Sequence, residues 1–347
     1  MQIVNHSELH CEWNWLKEQI IDSKLNWIHS SSQAWPYIAK LPGNTTIRRL
    51  YAAWSAVSYT CEKPSLLVSH GPRPAMYAST LAFGRLKKTP HLAFSFNFTQ
   101  LPSSRRQMLM TRAFQSIDRF TVFSSMEKEL YSHIFSLDPK RIDVLHWAVQ
   151  PHRKSQLIKP IQDTHYLCAV GSQGRDYRVL MKVMSQLPNC RLHLVAYPEN
   201  LLNLDIPENV TVHQHVSFTF AAALIAHADA MILPLIGSEV PCGHVTAVMA
   251  MHLGVPVIAT DSIGLHDYLR HGDTAVLFPS NQAHALKQCL ESFLDDPTHL
   301  RLCADRAFKF AQKYCVEERT VEYFQDYIEH TFGFTPIVTI TSDSYSK

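Results

Sequence analysis

Several common active-site motifs are missing from this 347-residue sequence. No G-x-G-x-x-G follows the first predicted strand and there is no Walker P-loop, which argues against a dinucleotide dehydrogenase and a P-loop kinase. There is no G-x-S-x-G elbow either, which argues against a hydrolase of that type. The chemistry of the protein therefore has to be carried by other loops.

The sequence also lacks the features of a membrane-spanning, secreted or metal-binding protein. No apolar run reaches the roughly 18 residues of a spanning helix. The eight cysteines are dispersed, without a C-x-x-C pair or a signal peptide ahead of them, and the 20 histidines are scattered. We expect reduced thiols, no metal site, and a cytoplasmic protein with at most peripheral contact at the inner face of a membrane. A net charge of +2 gives no indication of nucleic-acid binding.

The chain does contain enough apolar sequence for two domains of ordinary size, since 46% of its residues are hydrophobic and 18% are charged. Strand and helix patterns alternate in both halves, which predicts an α/β fold with two doubly wound, Rossmann-like domains. Residues 150–163 lack periodicity and are interpreted as a linker. Ligands bind at the carboxyl ends of strands in such sheets, and we expect a cleft between the two domains.

The pattern also predicts domain boundaries. We expect an N-terminal domain over residues 1–150 and a C-terminal domain over 151–315. A helix over 316–332 is expected to pack back on the first domain, and residues 333–347 are expected to form a flexible tail. Near the start of the chain, "HCEWNWLKEQIIDSKLNWIHSS" is interpreted as one helix.

The stretch "GSQGRDY" follows a strong predicted strand and begins a helix. Gly171 and Gly174 let backbone amides approach a ligand closely, and Arg175 adds a fork of donors beside the positive end of the helix. These features suit a phosphate group. The alternative is a strand-to-helix turn with a surface arginine, and the loop alone favours neither interpretation.

A second loop, "SEVPCGHVT", follows the predicted strand "DAMILPLI" and also begins a helix. Backbone amides near Gly243 would point out of the helix end, and His244 and Thr246 would add side-chain hydrogen bonds. For His244, taken alone, an ordinary polar surface residue is the favoured alternative.

Longer stretches around this second loop carry a family resemblance. They are "VMAMHLGVPVI", "SIGLHDYL" and "RHGDTAVLFPSN", which are similar to an "EAMAxGxPVI" helix and strand followed by an "xxGxxGxLVPP" turn. The second half thereby resembles the nucleotide-sugar domain of retaining GT-B glycosyltransferases of family 4, group 1, with specific motifs over residues 228–297. The first half resembles the family more loosely, through "LLVSHGPRPAMYASTLAF", "FSFNFT", "DRFTVFSS" and "RIDVLHWAVQP".

The sequence departs from the family at two glutamates that flank the second loop. The first falls on Pro241 and the second, the ribose ligand of the wider family, on Met249. Glu239 is the nearest substitute for the first. The present "CGH" and "DYL" resemble a subset of the family with an SGQ-like loop and a DYI-like motif. "GRDY" also lacks the lysine of the usual "GRxxxxKG".

The resemblance implies transfer of a sugar, with retention, from a UDP- or GDP-linked donor to a glycan or glycolipid, without a metal or other cofactor, in surface polysaccharide or glycolipid biosynthesis. His70 would contact the donor sugar near the reacting carbon, although a turn histidine is the alternative. Asp267 would face the base or ribose, with an ordinary helix residue as the equal alternative. The full expected set is catalytic His70 and Arg175, donor-binding Gly171, Gly174, Arg175, Glu239, Gly243, His244, Thr246 and Asp267, and acceptor-side Arg73 and Asn97.

Two other functions remain open at the level of sequence. The missing glutamates are consistent with a non-catalytic GT-B subunit that binds a nucleotide sugar or scaffolds a partner enzyme. A nucleotide-sugar epimerase is less favoured, because such enzymes use several carboxylates that this sequence lacks. "SSRRQMLMTR" and "RLKK" are basic-apolar patches that suit an anionic membrane surface, with a solvated helix face as the slightly favoured alternative.

Overall fold

The computed structural model divides into two compact units. One takes in the chain up to Leu145 and resumes at Glu318, and the other runs from His146 to Glu317. The residues described are 1–8, 15–32, 44–61, 63–83, 89–98, 100–149, 157, 161, 165–237, 239 and 241–338, so that most of the expected linker lies outside them.

The first unit is a parallel sheet with helices on its faces. Within its described residues, six strands run in the order β2-β1-β3-β4-β5-β6. The strands are β1 (Gln2–Ser7), β2 (Asn26–Ser31), β3 (Ser65–His70), β4 (His91–Phe94), β5 (Arg119–Val122) and β6 (Ile142–Val144). The helices between them are α1 (Trp15–Gln19), α2 (Asn44–Tyr59), α3 (Pro72–Ala82), α4 (Ser104–Phe114) and α5 (Ser125–Ile134).

The start of the chain differs from the sequence-based expectation. In the described part of the stretch interpreted as one helix, residues 15–31, the chain forms the short α1 and then β2, which pairs in parallel with β1. The interpretation was wrong because pairing with a buried neighbouring strand outweighs a mixed apolar spacing that suits a helix only weakly. β1 itself is buried along its whole length.

The second unit repeats the same architecture. Six strands are described here and run in the order β12-β11-β10-β7-β8-β9, again all parallel. The strands are β7 (Leu167–Val170), β8 (Leu192–Val195), β9 (Val210–His213), β10 (Ala230–Leu233), β11 (Val257–Thr260) and β12 (Val276–Phe278). The helices are α6 (Tyr177–Met184), α7 (Phe218–Ala226), α8 (His244–His252), α9 (Ala283–Asp295) and α10 (Thr298–Tyr314). The predicted α/β fold with two parallel sheets is confirmed.

The last helix, α11 (Glu317–Phe332), returns the chain to the first unit. Phe324 and Ile328 are fully buried there in one apolar cluster with Ile3 of β1. The stretch that follows is attached to the same unit, since the backbone amide of Ile337 donates to Asp22 at 3.2 Å. Of the segment expected to form a flexible tail, residues 333–338 are described and residues 339–347 lie outside the described part.

Candidate functional site

The loop between β7 and α6 is shaped around the side chain of Arg175. Gly171 has φ of +125°, and a Cβ atom added to it would lie 2.5 Å from Arg175 Nη2. The loop is held from both sides, because the Gly171 amide donates to the Val195 carbonyl at 3.0 Å and the Tyr177 hydroxyl donates to the Gly171 carbonyl. A glycine at position 171 is thus needed for the guanidinium to lie against the backbone.

The Arg175 guanidinium joins the two loops that the sequence singles out. Its Nη2 donates to the hydroxyl of Thr246 at 3.0 Å, and its Nη1 donates to the Gln173 carbonyl at 2.8 Å and lies 4.0 Å from the Cys242 sulfur. Its buried Nε has no hydrogen-bond partner among the described residues. A cation with an unsatisfied donor is therefore fixed beside the start of α8, and within the described part of the chain its hydrogen bonds go to carbonyl, hydroxyl and thiol groups and to no carboxylate.

Helix α8 begins beside the Arg175 guanidinium. Gly243 precedes it in the left-handed conformation, with φ of +97°, and its Cα faces the side chains of Leu233 and Leu265. The Thr246 hydroxyl donates to the Gly243 carbonyl at 3.2 Å while it accepts from Arg175. The first amides of a helix have no partner within it and carry partial positive charge. Arg175 and the start of α8 together form a positively charged site suited to a phosphate.

His244 has a different position from the one expected. Its side chain is only 5% exposed, its Nε2 donates to the Gly264 carbonyl at 2.9 Å, and its ring packs edge-on against Tyr268. Burial lowers the pKa of His244 to about 4, so that the imidazole is neutral at pH 7. The side chain fastens the first turn of α8 to the segment after β11, and only the backbone of this residue belongs to the helix terminus.

The acidic candidates of the second unit are less directly connected to this site. Asp267 is partly exposed, and its backbone carbonyl accepts a hydrogen bond from the His146 ring. Its carboxylate acts on His244, whose pKa it raises slightly against the larger effect of burial. Glu239 is exposed in a turn between residues outside the described part. Gly174 has φ of +63° in the loop that carries Arg175.

The position of the family's second glutamate is part of the apolar core. Met249 is buried in the cluster that includes Val248, Met251 and Leu265. A carboxylate at that place would be buried among apolar side chains unless it had a ligand or a cation to pair with. Position 249 therefore contributes an apolar side chain to the core of the second unit.

In the first unit, His70 ends β3 and is followed by Gly71, whose φ is +89°. The His70 ring packs edge-on against Phe94, with centroids 5.4 Å apart. Burial, together with repulsion from His29, lowers the pKa of His70 to about 3, so that the ring is neutral at pH 7. Arg73 lies exposed in the first turn of α3.

Asn97 belongs to a buried network that the sequence analysis did not identify. Its Nδ2 donates to Glu127 Oε1 at 2.5 Å. The same carboxylate accepts from the Phe123 amide at 3.0 Å, the Ser124 hydroxyl at 3.1 Å and the Tyr131 hydroxyl at 3.2 Å. Burial raises the pKa of Glu127, and these hydrogen bonds oppose that effect. The S-x-x-E pattern of Ser124 and Glu127 was the signal available, because it marks a helix start.

The described residues contain no group of three or more His, Cys, Asp or Glu side chains arranged to hold a metal ion. Among them, no helix is both long and apolar enough to cross a bilayer.

Comparison with known proteins agrees with this architecture. Residues 164–296 match the family model described as glycosyl transferases group 1. No curated protein matches the chain significantly. The match lies within the second unit and covers less than half of the chain.

Solved structures match nearly the whole chain. Sucrose-phosphate synthase from Thermosynechococcus elongatus is similar with a TM-score of 0.70 and 18% identity, over 96% of this chain and 100% of that one. HepE of Anabaena, in complex with UDP and glucose, is similar with a TM-score of 0.72 and 11% identity, over 95% of this chain and 100% of that one. The lipopolysaccharide outer core galactosyltransferase WaaB is similar with a TM-score of 0.64 and 13% identity, over 96% of this chain and 100% of that one. At these identities the likeness establishes the fold, which is that of GT-B glycosyltransferases.

Proposed function

We propose that this protein is a glycosyltransferase that transfers a sugar from a nucleotide-sugar donor to a glycan or lipid-linked acceptor. The observation that carries the proposal is the contact between Arg175 and Thr246, which places a guanidinium at the N-terminus of α8. A diphosphate is the natural ligand of such a site, because backbone amides and a guanidinium both donate to anionic oxygens.

The chemistry follows from the charge that develops when the donor bond breaks. The departing nucleoside diphosphate takes most of the negative charge, and Arg175 with the first amides of α8 stabilises it without reorganisation. In this proposal these groups take the place of a metal ion, and no cofactor is needed. The donor is proposed to be UDP- or GDP-linked. A UDP-linked donor is supported by similar structures that were crystallised with UDP and with UDP-glucose.

The first unit is proposed to supply the contacts around the transferred sugar and its acceptor. His70 is neutral at pH 7, so that it hydrogen-bonds to sugar hydroxyls without repelling positive charge that develops at the anomeric carbon. Arg73 and Asn97 are proposed to contact the acceptor. Retention of anomeric configuration, a role in surface polysaccharide or glycolipid assembly, and a cytoplasmic location at a membrane surface belong to the same proposal and rest on the family resemblance.

A panel of nucleotides and nucleotide sugars tests the donor site by thermal shift, since a ligand that binds only the folded protein raises Tm. We expect UDP or GDP and their sugars to raise Tm in the native protein and to do so much less in Arg175→Ala. If none of UDP, GDP, ADP or their sugars changed Tm, the proposal would be refuted.

A second candidate, a non-catalytic subunit that binds a nucleotide sugar, is favoured by Met249 at the position of the missing glutamate. Donor hydrolysis distinguishes the two functions. A transferase should release free sugar slowly from its donor, and His70→Ala should reduce that rate while donor binding persists. Donor binding with no turnover, unaffected by His70→Ala, would favour the subunit.

A further inference from the structure

Three neighbouring helices of the first unit share an unusual charge pattern. Together α2, α3 and α4 contain six arginines and no aspartate or glutamate, although the chain has 30 acidic residues. Helices α9, α10 and α11, for comparison, all contain acidic side chains. One of the six, Arg49, is neutralised by Glu8 at 2.7 Å. On α4, Arg105, Arg106 and Arg112 are all exposed.

The same helices expose large apolar side chains. On α4, Met108 is 68% and Leu109 is 63% exposed, beside the three arginines. On α2, the exposed apolar residues recur at the three- and four-residue spacing of one helix face and are Ile47, Leu50, Tyr51 and Trp54. Side chains of this kind are ordinarily covered, and several together on one surface indicate an interaction site.

The two exposed faces belong to one layer of helices. Helix α3 packs against both α2 and α4. The inward residues of this layer, such as Ala56 of α2 and Phe114 of α4, fill apolar clusters against the sheet. The other apolar cluster of this unit is formed with α1 and α11. The exposed side chains of α2 and α4 therefore point outward from one side of the unit, and we refer to them as the α2–α4 face.

We infer that the α2–α4 face is a docking surface for a bilayer that contains anionic phospholipids. The exposed arginines of α4, a helix with no aspartate or glutamate, are attracted to anionic headgroups, and leucine, methionine and tryptophan side chains gain by entering the interface. A nucleic acid would use the arginines and leave the aliphatic side chains exposed. The inference builds on the membrane contact in the proposed function and assigns that contact to the residues of the α2–α4 face.

Flotation with vesicles tests this inference without donor or acceptor, so that its failure would leave the proposed transferase activity untouched. The probes are vesicles of phosphatidylcholine alone and of phosphatidylcholine with phosphatidylglycerol. The test variant is Arg106→Ser with Leu109→Ser. The matched control is Arg301→Ser with Leu302→Ser, an adjacent exposed arginine and leucine on α10.

We expect the native protein and the control to float with the anionic vesicles and not with the neutral ones. Loss of one arginine near an anionic surface should weaken binding about fivefold, and loss of the leucine should weaken it further, so that the test variant stays in solution. Higher salt should reduce binding by the native protein. All three proteins should give the same thermal shift with UDP or GDP and the same circular dichroism.

Three results would overturn the inference. The native protein would fail to bind anionic vesicles, it would bind neutral vesicles equally well, or both variants would lose binding to the same extent. Size-exclusion chromatography and an RNA-binding assay test the two other possible occupants of the α2–α4 face, a second copy of the chain and a nucleic acid. A dimer dissociated by the test variant, or RNA binding abolished by it, in the absence of vesicle binding would assign this face to a second copy of the chain or to nucleic acid.

Discussion

Arg175 Nη2 lies 3.0 Å from Thr246 Oγ1, and this contact joins the loop after β7 to the first turn of α8. The Thr246 hydroxyl donates a hydrogen bond to the Gly243 carbonyl at 3.2 Å, and its oxygen lone pairs accept from the guanidinium. The threonine holds the arginine in place without neutralising it. The charge therefore remains available to a ligand, which a carboxylate at position 246 would not allow.

We predict that Arg175→Ala weakens donor binding about 10- to 100-fold, because a hydrogen bond to a charged group contributes about 1.5 to 3 kcal/mol. Titration calorimetry with the nucleotide that gives the largest thermal shift measures the change. Arg178→Ala is the matched control, since Arg178 is exposed on α6 three residues away. Equal affinity in the native protein and Arg175→Ala would remove this arginine from the site.

A second prediction concerns the space that Gly171 leaves. Gly171→Ala should weaken donor binding about as much as Arg175→Ala, because the new Cβ would lie 2.5 Å from Nη2 and would displace the guanidinium. Gly272→Ala is the control, since Gly272 also has positive φ, of +72°, but its Cβ would have no neighbour within 4 Å.

Both glycine variants should lose about 1 to 2 kcal/mol of stability from the left-handed backbone. Only Gly171→Ala should lose donor affinity as well, as measured by the same titration. A Gly171→Ala protein that bound donor normally would show that the guanidinium has another productive position.

The sequence predicted the second unit better than the first, for a physical reason. Its strands, such as "DAMILPLI" and "VPVIAT", are continuous apolar runs between glycine- or proline-containing turns, as strands buried on both faces usually are. In the first unit, β1 ends in Asn5, His6 and Ser7, which are polar and nevertheless buried. Local hydrophobicity cannot reveal a strand whose polar side chains are buried by tertiary contacts.

The candidate site was predictable as a pair of loops but not as a set of side-chain contacts. Glycines at two helix starts marked the positions of Arg175 and Thr246. Their mutual contact spans 71 positions in the chain, and the sequence gives no sign of it. The burial of His244 follows from its contact with Gly264 twenty positions later, so that a residue predicted to face the donor faces the protein interior.

Acid should destabilise this protein through the buried histidines of its first sheet. Burial, with repulsion from His91, His70 and His29, lowers the pKa of His6 to about 3. An unfolded histidine titrates near 6.5, so the unfolded chain binds the proton first as the pH falls. Stability is therefore fully present above about pH 6.5 and decreases below it, by up to about 1.4 kcal/mol per pH unit for each such histidine.

We predict that His6→Gln reduces the number of protons taken up on unfolding at acid pH by about one, and so reduces the slope of stability against pH. Urea unfolding is followed at several pH values between 7 and 5 by a spectroscopic signal from the first unit. It gives the slope of the free energy of unfolding against pH. His165→Gln is the control, because the His165 side chain is 85% exposed. Identical slopes for the native protein and His6→Gln would contradict the assignment of the acid sensitivity to this residue.

The last prediction concerns Glu127, whose carboxylate accepts hydrogen bonds from Asn97, Phe123, Ser124 and Tyr131 in the interior of the first unit. Glu127→Gln replaces one accepting carboxylate oxygen by an amide NH2 group. This group donates hydrogen bonds and would face side chains or amides that are themselves donors. We expect a loss of about 2 to 4 kcal/mol in stability, since an unsatisfied buried polar group costs about 1 to 3 kcal/mol and a hydrogen bond to the charge is also lost.

Glu129→Gln makes the same chemical change on an exposed residue of the same helix and should alter stability by less than about 0.5 kcal/mol. Chemical denaturation of both variants gives the comparison. Because Asn97 is held by this carboxylate, Glu127→Gln should also raise KM for the acceptor more than it changes donor affinity. A variant that lost stability while KM for the acceptor stayed the same would confine Glu127 to a structural role and would remove the support that Asn97 draws from it.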